Sequence, residues 1–244
     1  MNKISLIFPY YKNSKMLEYQ MNVWREYPAS VKENLEIIIV DDGSPIGLRA
    51  EEVIKASVEK FGHLDFDFSL FRILIDIPWN ECGAKNLGVS HASNPWLLIS
   101  DIDHIVTSQL LEHIQNVSLD RKLIYGFTRK HRESGEVNKP HQETILVSIG
   151  KFTQVGWYDE SYCGHYAFCA GEFIRRLDLL NTVTRIEIPL ERVDYLFIPD
   201  AKTAGLVRKE GRDDSAYDDI KAWKEEVLIG IETLKLPWKE VSCD

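Results

Sequence analysis

Two short apolar runs frame the start of the chain. Ile4 to Phe8 is closed by Pro9, and Leu35 to Val40, rich in β-branched residues, runs into Asp41-Asp42-Gly43-Ser44. Runs of this length bounded by turn residues predict buried strands. Between them, Ser14 to Tyr27 repeats apolar positions at helical spacing through Met16 or Leu17, Tyr19 or Gln20, Val23 and Trp24, with Pro28 as the stop. The alternation continues with a helix over Leu48 to Phe61, a strand over Leu70 to Ile75, a helix over Gly83 to His91, and a strand over Trp96 to Ser100 after Asn94-Pro95. Strands and helices alternating through short crossovers predict an α/β fold whose central sheet is mostly parallel and covered by helices on both faces. Ligands of such sheets bind beyond the carboxyl ends of the strands. Pro9 to Tyr11, Asp41-Asp42 and Asp101 to Asp103 are therefore expected on one rim.

The second half of the pattern is less regular. Leu123 to Phe127 and Thr144 to Ile149 predict strands flanking a charged stretch, Thr128 to Glu143, expected as an exposed hairpin or mobile loop. Gly171 to Leu180 predicts a helix, and Ala216 to Leu234 a further amphipathic one before Pro237. The 244 residues, 44% of them hydrophobic, show no composition break and are expected to form one domain.

Charge and cysteine content then narrow the classes. A formal charge of −9 argues against a surface built mainly to neutralise nucleic-acid phosphates, though not against a local basic patch. Cys82, Cys163, Cys169 and Cys243 lack the paired spacings of a zinc site and are too sparse for a disulfide framework; they are expected as reduced thiols of a cytoplasmic protein. The apolar stretch before Pro9 is too short for a signal-peptide core, and far short of the roughly 20 apolar residues of a membrane span.

Three segments carry candidate chemistry. Asp101-Ile102-Asp103 follows a buried strand, where alternation would set both carboxylates on one side. Such a pair suits Mn²⁺ or Mg²⁺, which would bridge a diphosphate; strand-end aspartates also simply cap turns. Asp41-Asp42-Gly43 offers a carboxylate to a nucleobase imide or ribose hydroxyl, or is an ordinary Asp-Gly turn. Gly83-Ala84-Lys85-Asn86-Leu87-Gly88 opens a helix whose free N–H groups and Lys85 would meet phosphate or base oxygens. Close helix packing explains Gly83 and Gly88 equally well.

In this order, ISLIFPYYKN, EIIIVDDGS, GAKNLGV and LLISDIDHIV resemble the nucleotide-binding half of the inverting family 2 glycosyltransferases and their GT-A relatives. GWYDESYCGHYAFCAGEFIRRL, residues 156–177, resembles their acceptor segment. The resemblance implies a single GT-A domain with a nucleotide-sugar-binding half over residues 1–105, an acceptor-binding half over 106–204, and a C-terminal loop and helix over 205–244. It implies that Pro9 and Tyr11 line the base pocket, that Asp41 or Asp42 holds base or ribose, and that Gly83 and Lys85 border the nucleotide. Asp101 would touch ribose or metal, Asp103 would be the principal metal ligand, and Trp157, Asp159 and Glu160 would shape the acceptor side.

Two positions depart from that pattern. The relatives place an acidic pair, the base that deprotonates the acceptor hydroxyl, about six residues before the arginine of the Arg-Leu pair. Here those positions are Cys169-Ala170. Glu172 and His165 are the nearest substitutes, alongside their readings as a first-turn helix glutamate and a packed surface histidine. The relatives also often carry a late histidine as metal ligand, whereas this chain offers Arg208, Lys209 and Arg212 after Ile198; Arg208 would help neutralise the diphosphate. His104 is a further candidate ligand or a support for one. The expected function is metal-dependent transfer from a nucleotide-diphosphate sugar, UDP-sugar favoured, to a glycan or other hydroxyl acceptor, with modified DNA an acceptor to consider. An inactive nucleotide-sugar-binding homologue and a nucleotidyltransferase are the alternatives.

Overall fold

The computed structural model describes residues 1–138, 143–164, 169–179, 185–195 and 236–242. In chain order the elements are β1 (Ile4–Tyr10), α1 (Ser14–Arg25), α2 (Ala29–Lys32), β2 (Leu35–Asp42), α3 (Ala50–Phe61), β3 (Asp67–Ile73), α4 (Glu81–Ser90), β4 (Trp96–Ile99) and β5 (His104–Ile105). Then follow α5 (Ser108–Asn116), β6 (Ile124–His131), β7 (Val137–Asn138), β8 (Ile145–Ser148), α6 (Ile149–Val155), a 3₁₀ turn (Glu160–Tyr162), α7 (Cys169–Leu179), β9 (Arg185–Tyr195) and β10 (Trp238–Glu240). The strands form one sheet in the order β10-β3-β2-β1-β4-β8-β6-β9-β5, with β7 paired to β6. Its first half, β3-β2-β1-β4, is parallel, whereas β8 runs antiparallel to β4 and β6 antiparallel to β8. The expected mostly parallel sheet is thus a parallel block continued by a mixed one.

The period of two along each strand sorts the side chains into two cores. Ile4, Leu6 and Phe8 of β1 and Ile37 and Ile39 of β2 face a cluster with Leu17 and Trp24 of α1, Ile54 of α3 and Leu110 of α5. Ile7, Ile38 and Val40 point the other way, onto Ala84 and Val89 of α4 and, farther along, Phe152 of α6 and Phe173 of α7. Each Val, Leu, Ile or Phe among them, fully buried, contributes about 1.5–3 kcal/mol of transfer free energy. Gly88 is what lets α4 lie on the sheet: a Cβ there would meet Ile7 Cγ2 at 2.5 Å and Val40 Cγ2 at 3.4 Å.

Several boundaries shift for identifiable reasons. The strand expected over Leu70 to Ile75 is Asp67–Ile73, because pairing with β2 from Glu36 to Asp42 decides its extent, and Leu74 and Ile75 are left exposed. The charged stretch after Phe127 begins as a continuation of β6, with Arg129 opposite Asn138 and Lys130 opposite Val137 in a hairpin. Helix α4 begins at Glu81 rather than Gly83. The helix expected over Ala216 to Leu234 lies outside the described residues.

The cysteine expectation is corrected. Cys82, in the first turn of α4, is bonded to Cys169, the first residue of α7, across 87 positions of sequence and a Cα separation of 6.1 Å. Sequence spacing gave no sign of this, since only the packing of α4 against α7 brings the two together. Cys163 is free, and Cys243 lies outside the described residues. No helix among the described residues is long and apolar enough to cross a membrane.

Candidate functional site

Asp101 to Asp103 leaves the end of β4 as a turn, closed by the His104 N–H donating to the Asp101 carbonyl at 3.0 Å. The extended geometry expected for this segment is therefore replaced by a tighter one with a similar outcome. Ile102 is buried in the core, while the side chains of Asp101 and Asp103 are 25% and 48% exposed. His104 is buried behind them, its Nδ1 2.9 Å from Asp103 Oδ1. One ligand atom from each of Asp101, Asp103 and His104 lies within 4.8 Å of the others. Two carboxylate oxygens and one imidazole nitrogen form a donor set that fits Mn²⁺ or Mg²⁺.

Beside this turn, a cleft of about 160 Å³ is lined by Pro9, Tyr10, Tyr11, Asp42, Ile77, Trp79, Asn80 and Glu81. The two aspartates at the end of β2 have divided their tasks. Asp41 accepts the N–H groups of Ser44 and Ala50, both at 2.9 Å, and so closes the turn and caps α3. Asp42 faces the cleft and accepts from Asn80 Nδ2 at 2.7 Å. Burial pushes the Asp42 carboxyl well above the ordinary carboxylate range; the Asn80 amide opposes this and the charges of Asp41, Asp76 and Glu81 add to it. Gly43 is required by its φ of 74° and by Asp76, whose Cα would lie 2.8 Å from an added Cβ. Tyr11 donates to Asp76 at 3.0 Å, bracing the outer wall.

Helix α4 organises the remainder. A Cβ on Gly83 would lie 2.4 Å from Asn80 Oδ1, so this glycine makes room for the side chain that holds Asp42. Lys85 is fully buried and its ammonium touches Glu143, with Asp101 at 3.6 Å, Glu81 at 3.9 Å and the Tyr158 ring centroid at 5.6 Å. Burial lowers its pKa, but Glu143, Glu81 and Asp101 outweigh that and hold it well above the usual lysine value. Burial, with Glu81 and Asp101 adding to it, raises the Glu143 carboxyl, while the Lys85 ammonium in contact with it pulls the other way and favours the carboxylate that pairs with it. Glu81, Asp101 and Glu143 also approach one another within 4.8 Å, but the ammonium of Lys85 already sits against all three. Sequence reasoning placed Glu143 in an exposed hairpin and missed it.

The pair expected to shape the acceptor side turns inward. Asp159 accepts from the Ser161 N–H and hydroxyl at 3.0 and 2.7 Å, and Glu160 accepts from Asn86 Nδ2 at 2.7 Å; both are buried. Asn86 also bonds the Tyr158 backbone in both directions, fastening α4 to this segment. Trp157 is half-buried against Phe152, at φ 70°. With Lys12 at φ 51° and Trp79 at φ 53°, it is one of the non-glycine residues held in the left-handed region, a strained conformation that concentrates at functional sites. Glu172 is buried, with both carboxylate oxygens on Arg176 Nε at 2.7 and 2.8 Å. His165 and Arg208 lie outside the described residues.

The sequence model of glycosyl transferase family 2 matches residues 5–176. The chain belongs to this family. A mannosyltransferase from Pyrobaculum calidifontis, solved with GDP-Man and Mn²⁺, superposes with a TM-score of 0.62 at 14% identity, over 97% of this chain and 66% of that one. TarS from S. aureus, solved with UDP-GlcNAc, gives a TM-score of 0.62 at 14% identity, over 93% of this chain and 66% of its own. This family 2 chain thus has the GT-A fold and spans just under two thirds of the length of these two. No curated protein matches its sequence.

Proposed function

We propose that the protein is a metal-dependent glycosyltransferase that takes its sugar from a nucleotide-diphosphate donor, with a UDP-sugar favoured. The observation that carries this reading is the Asp101–Asp103 turn on the same rim as the Pro9, Tyr11 and Asp42 cleft, in a chain of family 2. The small cleft favours a pyrimidine, stacked beside Tyr11 and Trp79, whose imide N–H points at Asp42. Asp101 and Asp103 would hold the cation, with His104 as a third ligand or as the support that orients Asp103. A divalent ion bound there would neutralise the charge developing on the departing diphosphate.

Among the described residues expected to supply it, no proton acceptor for the attacking hydroxyl is identified; His165 lies outside them. Cys169 is bonded to Cys82, Ala170 has no proton chemistry, and Glu172 is engaged by Arg176. That arrangement favours, as a second reading, a nucleotide-sugar-binding homologue without turnover. Thermal-shift measurements against UDP- and GDP-sugars with and without Mn²⁺, followed by transfer from labelled donors, separate the two. Turnover lowered on the order of a hundredfold by Asp103→Ala supports the transferase; tight binding without turnover across glycan, lipid-linked and modified-DNA acceptors supports the binder. No metal-dependent shift with any donor would overturn the metal-dependent transferase, and no shift with any donor, with or without metal, would overturn the binder. For an active enzyme, the anomeric configuration of the product, read by NMR, assigns inversion or retention.

A further inference from the structure

Lys85 poses a problem for any cation at Asp101. Its ammonium is fixed 3.6 Å from Asp101 Oδ1, inside the protein, where an unneutralised positive charge would compete for that carboxylate and repel an incoming divalent ion. The partner that relieves this is Glu143, whose Oε2 makes the closest contact to Lys85 while its side chain is only 13% exposed. Its placement follows from strand pairing. Strand β8 runs antiparallel to β4 with Ile145 opposite Ile99, the hydroxyls of Thr144 and Ser100 meet at 3.3 Å, and one further step sets Glu143 across from Asp101. Glu81, at 3.9 Å and 36% exposed, is the weaker counter-charge.

We propose that Glu143 is a positioning residue for the metal centre: it binds the Lys85 ammonium and so leaves Asp101 available to a divalent cation. The inference rests on the metal-dependent reading above. The closest contact of Glu143 in this cluster is the Lys85 ammonium. Glu143 acts through Lys85, so its effect is on cation affinity, and it is undone when the ammonium is removed as well.

Mn²⁺ binding in the absence of donor, followed by the loss of the free-ion signal in electron paramagnetic resonance, tests this without relying on turnover. Glu143→Gln is expected to weaken Mn²⁺ binding about tenfold or more, the usual effect of removing a residue that supports a metal ligand. Glu143→Asp should restore part of that affinity. The double variant Glu143→Gln, Lys85→Met should restore most of it, because the competing charge has gone. Circular dichroism on each variant identifies loss of fold. Glu143→Gln binding Mn²⁺ as tightly as the parent, or the double variant binding no better than the single, would overturn the proposal. A parent protein that binds no Mn²⁺ would overturn the metal-dependent reading itself, and this assignment with it.

Discussion

Replacing Glu172 or Arg176 asks whether this buried pair is a brace or part of the chemistry. The Glu172 side chain is 1% exposed and that of Arg176 14%. Besides Glu172, the guanidinium donates to the Val155 carbonyl at 2.7 Å and the Trp157 carbonyl at 2.6 Å, tying α7 to the end of α6 and to the strained Trp157. Arg176→Met would leave a buried carboxylate without its cation, a change that typically costs about 3–5 kcal/mol. Glu172→Gln keeps the shape and an acceptor and should cost about 1–3 kcal/mol. Against a domain stability of roughly 5–15 kcal/mol these are large fractions. At about 3 kcal/mol per molar urea, the methionine variant should lower the unfolding midpoint by about 1–2 M. The assay pairs urea melts with donor turnover per folded molecule. A Glu172→Gln protein that keeps its midpoint yet loses turnover about a hundredfold would refute the brace and make Glu172 the base.

Other outcomes are equally direct. Asp103→Ala should abolish the Mn²⁺-dependent thermal shift and lower turnover on the order of a hundredfold; an unchanged shift would remove Asp103 from the metal centre. The Asp42 carboxyl is raised above its ordinary 3.8, so the folded state binds its proton more tightly than the unfolded one, and stability falls as pH rises from about 3.8 toward the folded value. Asp42→Asn should therefore be the more stable protein at neutral pH while losing UDP affinity on the order of tenfold; urea melts across pH and calorimetric titration with UDP check the two halves. Gly88→Ala forces a methyl group to 2.5 Å from Ile7 Cγ2 and should cost about 1–3 kcal/mol, seen as a lower melting temperature. Intact-mass analysis of unfolded, alkylated protein without reductant should show Cys82 and Cys169 unmodified; full modification would refute the bridge.

Where an element's identity depends on its own residues, it was legible before the structure. The apolar runs of β1, β2 and β4 read as strands, their alternation with α1, α3 and α4 read as an α/β sheet, and the rim carrying Asp42 and Asp101 followed from that topology. What escaped depends on partners distant in sequence. Asp41 and Asp42 are adjacent and chemically identical, and only the loop running to Ala50 shows that the first is consumed as a cap. Glu143 looked like one more charge in a polar stretch, because the strand register that sets it opposite Asp101 is decided between β4 and β8. Asp159-Glu160 matched the family's acceptor run, yet its orientation is decided by Ser161 and by Asn86 on α4. Cys82 and Cys169 gave no local sign of their union.

The antiparallel pairing of β8 with β4 therefore sets limits on how this chain can vary. The hairpin between β6 and β7 can lengthen or shorten at its tip, residues 132–136, which is exposed. The phase of β8 has no such freedom. A slip of one position would bring a neighbour of Glu143 to Asp101 and turn every side chain of the strand to the opposite face, exchanging the residues buried over β4 with those meant for the other core. A strand in the second half of the sequence thus acts as the ruler by which the first half's charges are counted, and shuffling segments between related chains would have to preserve that count.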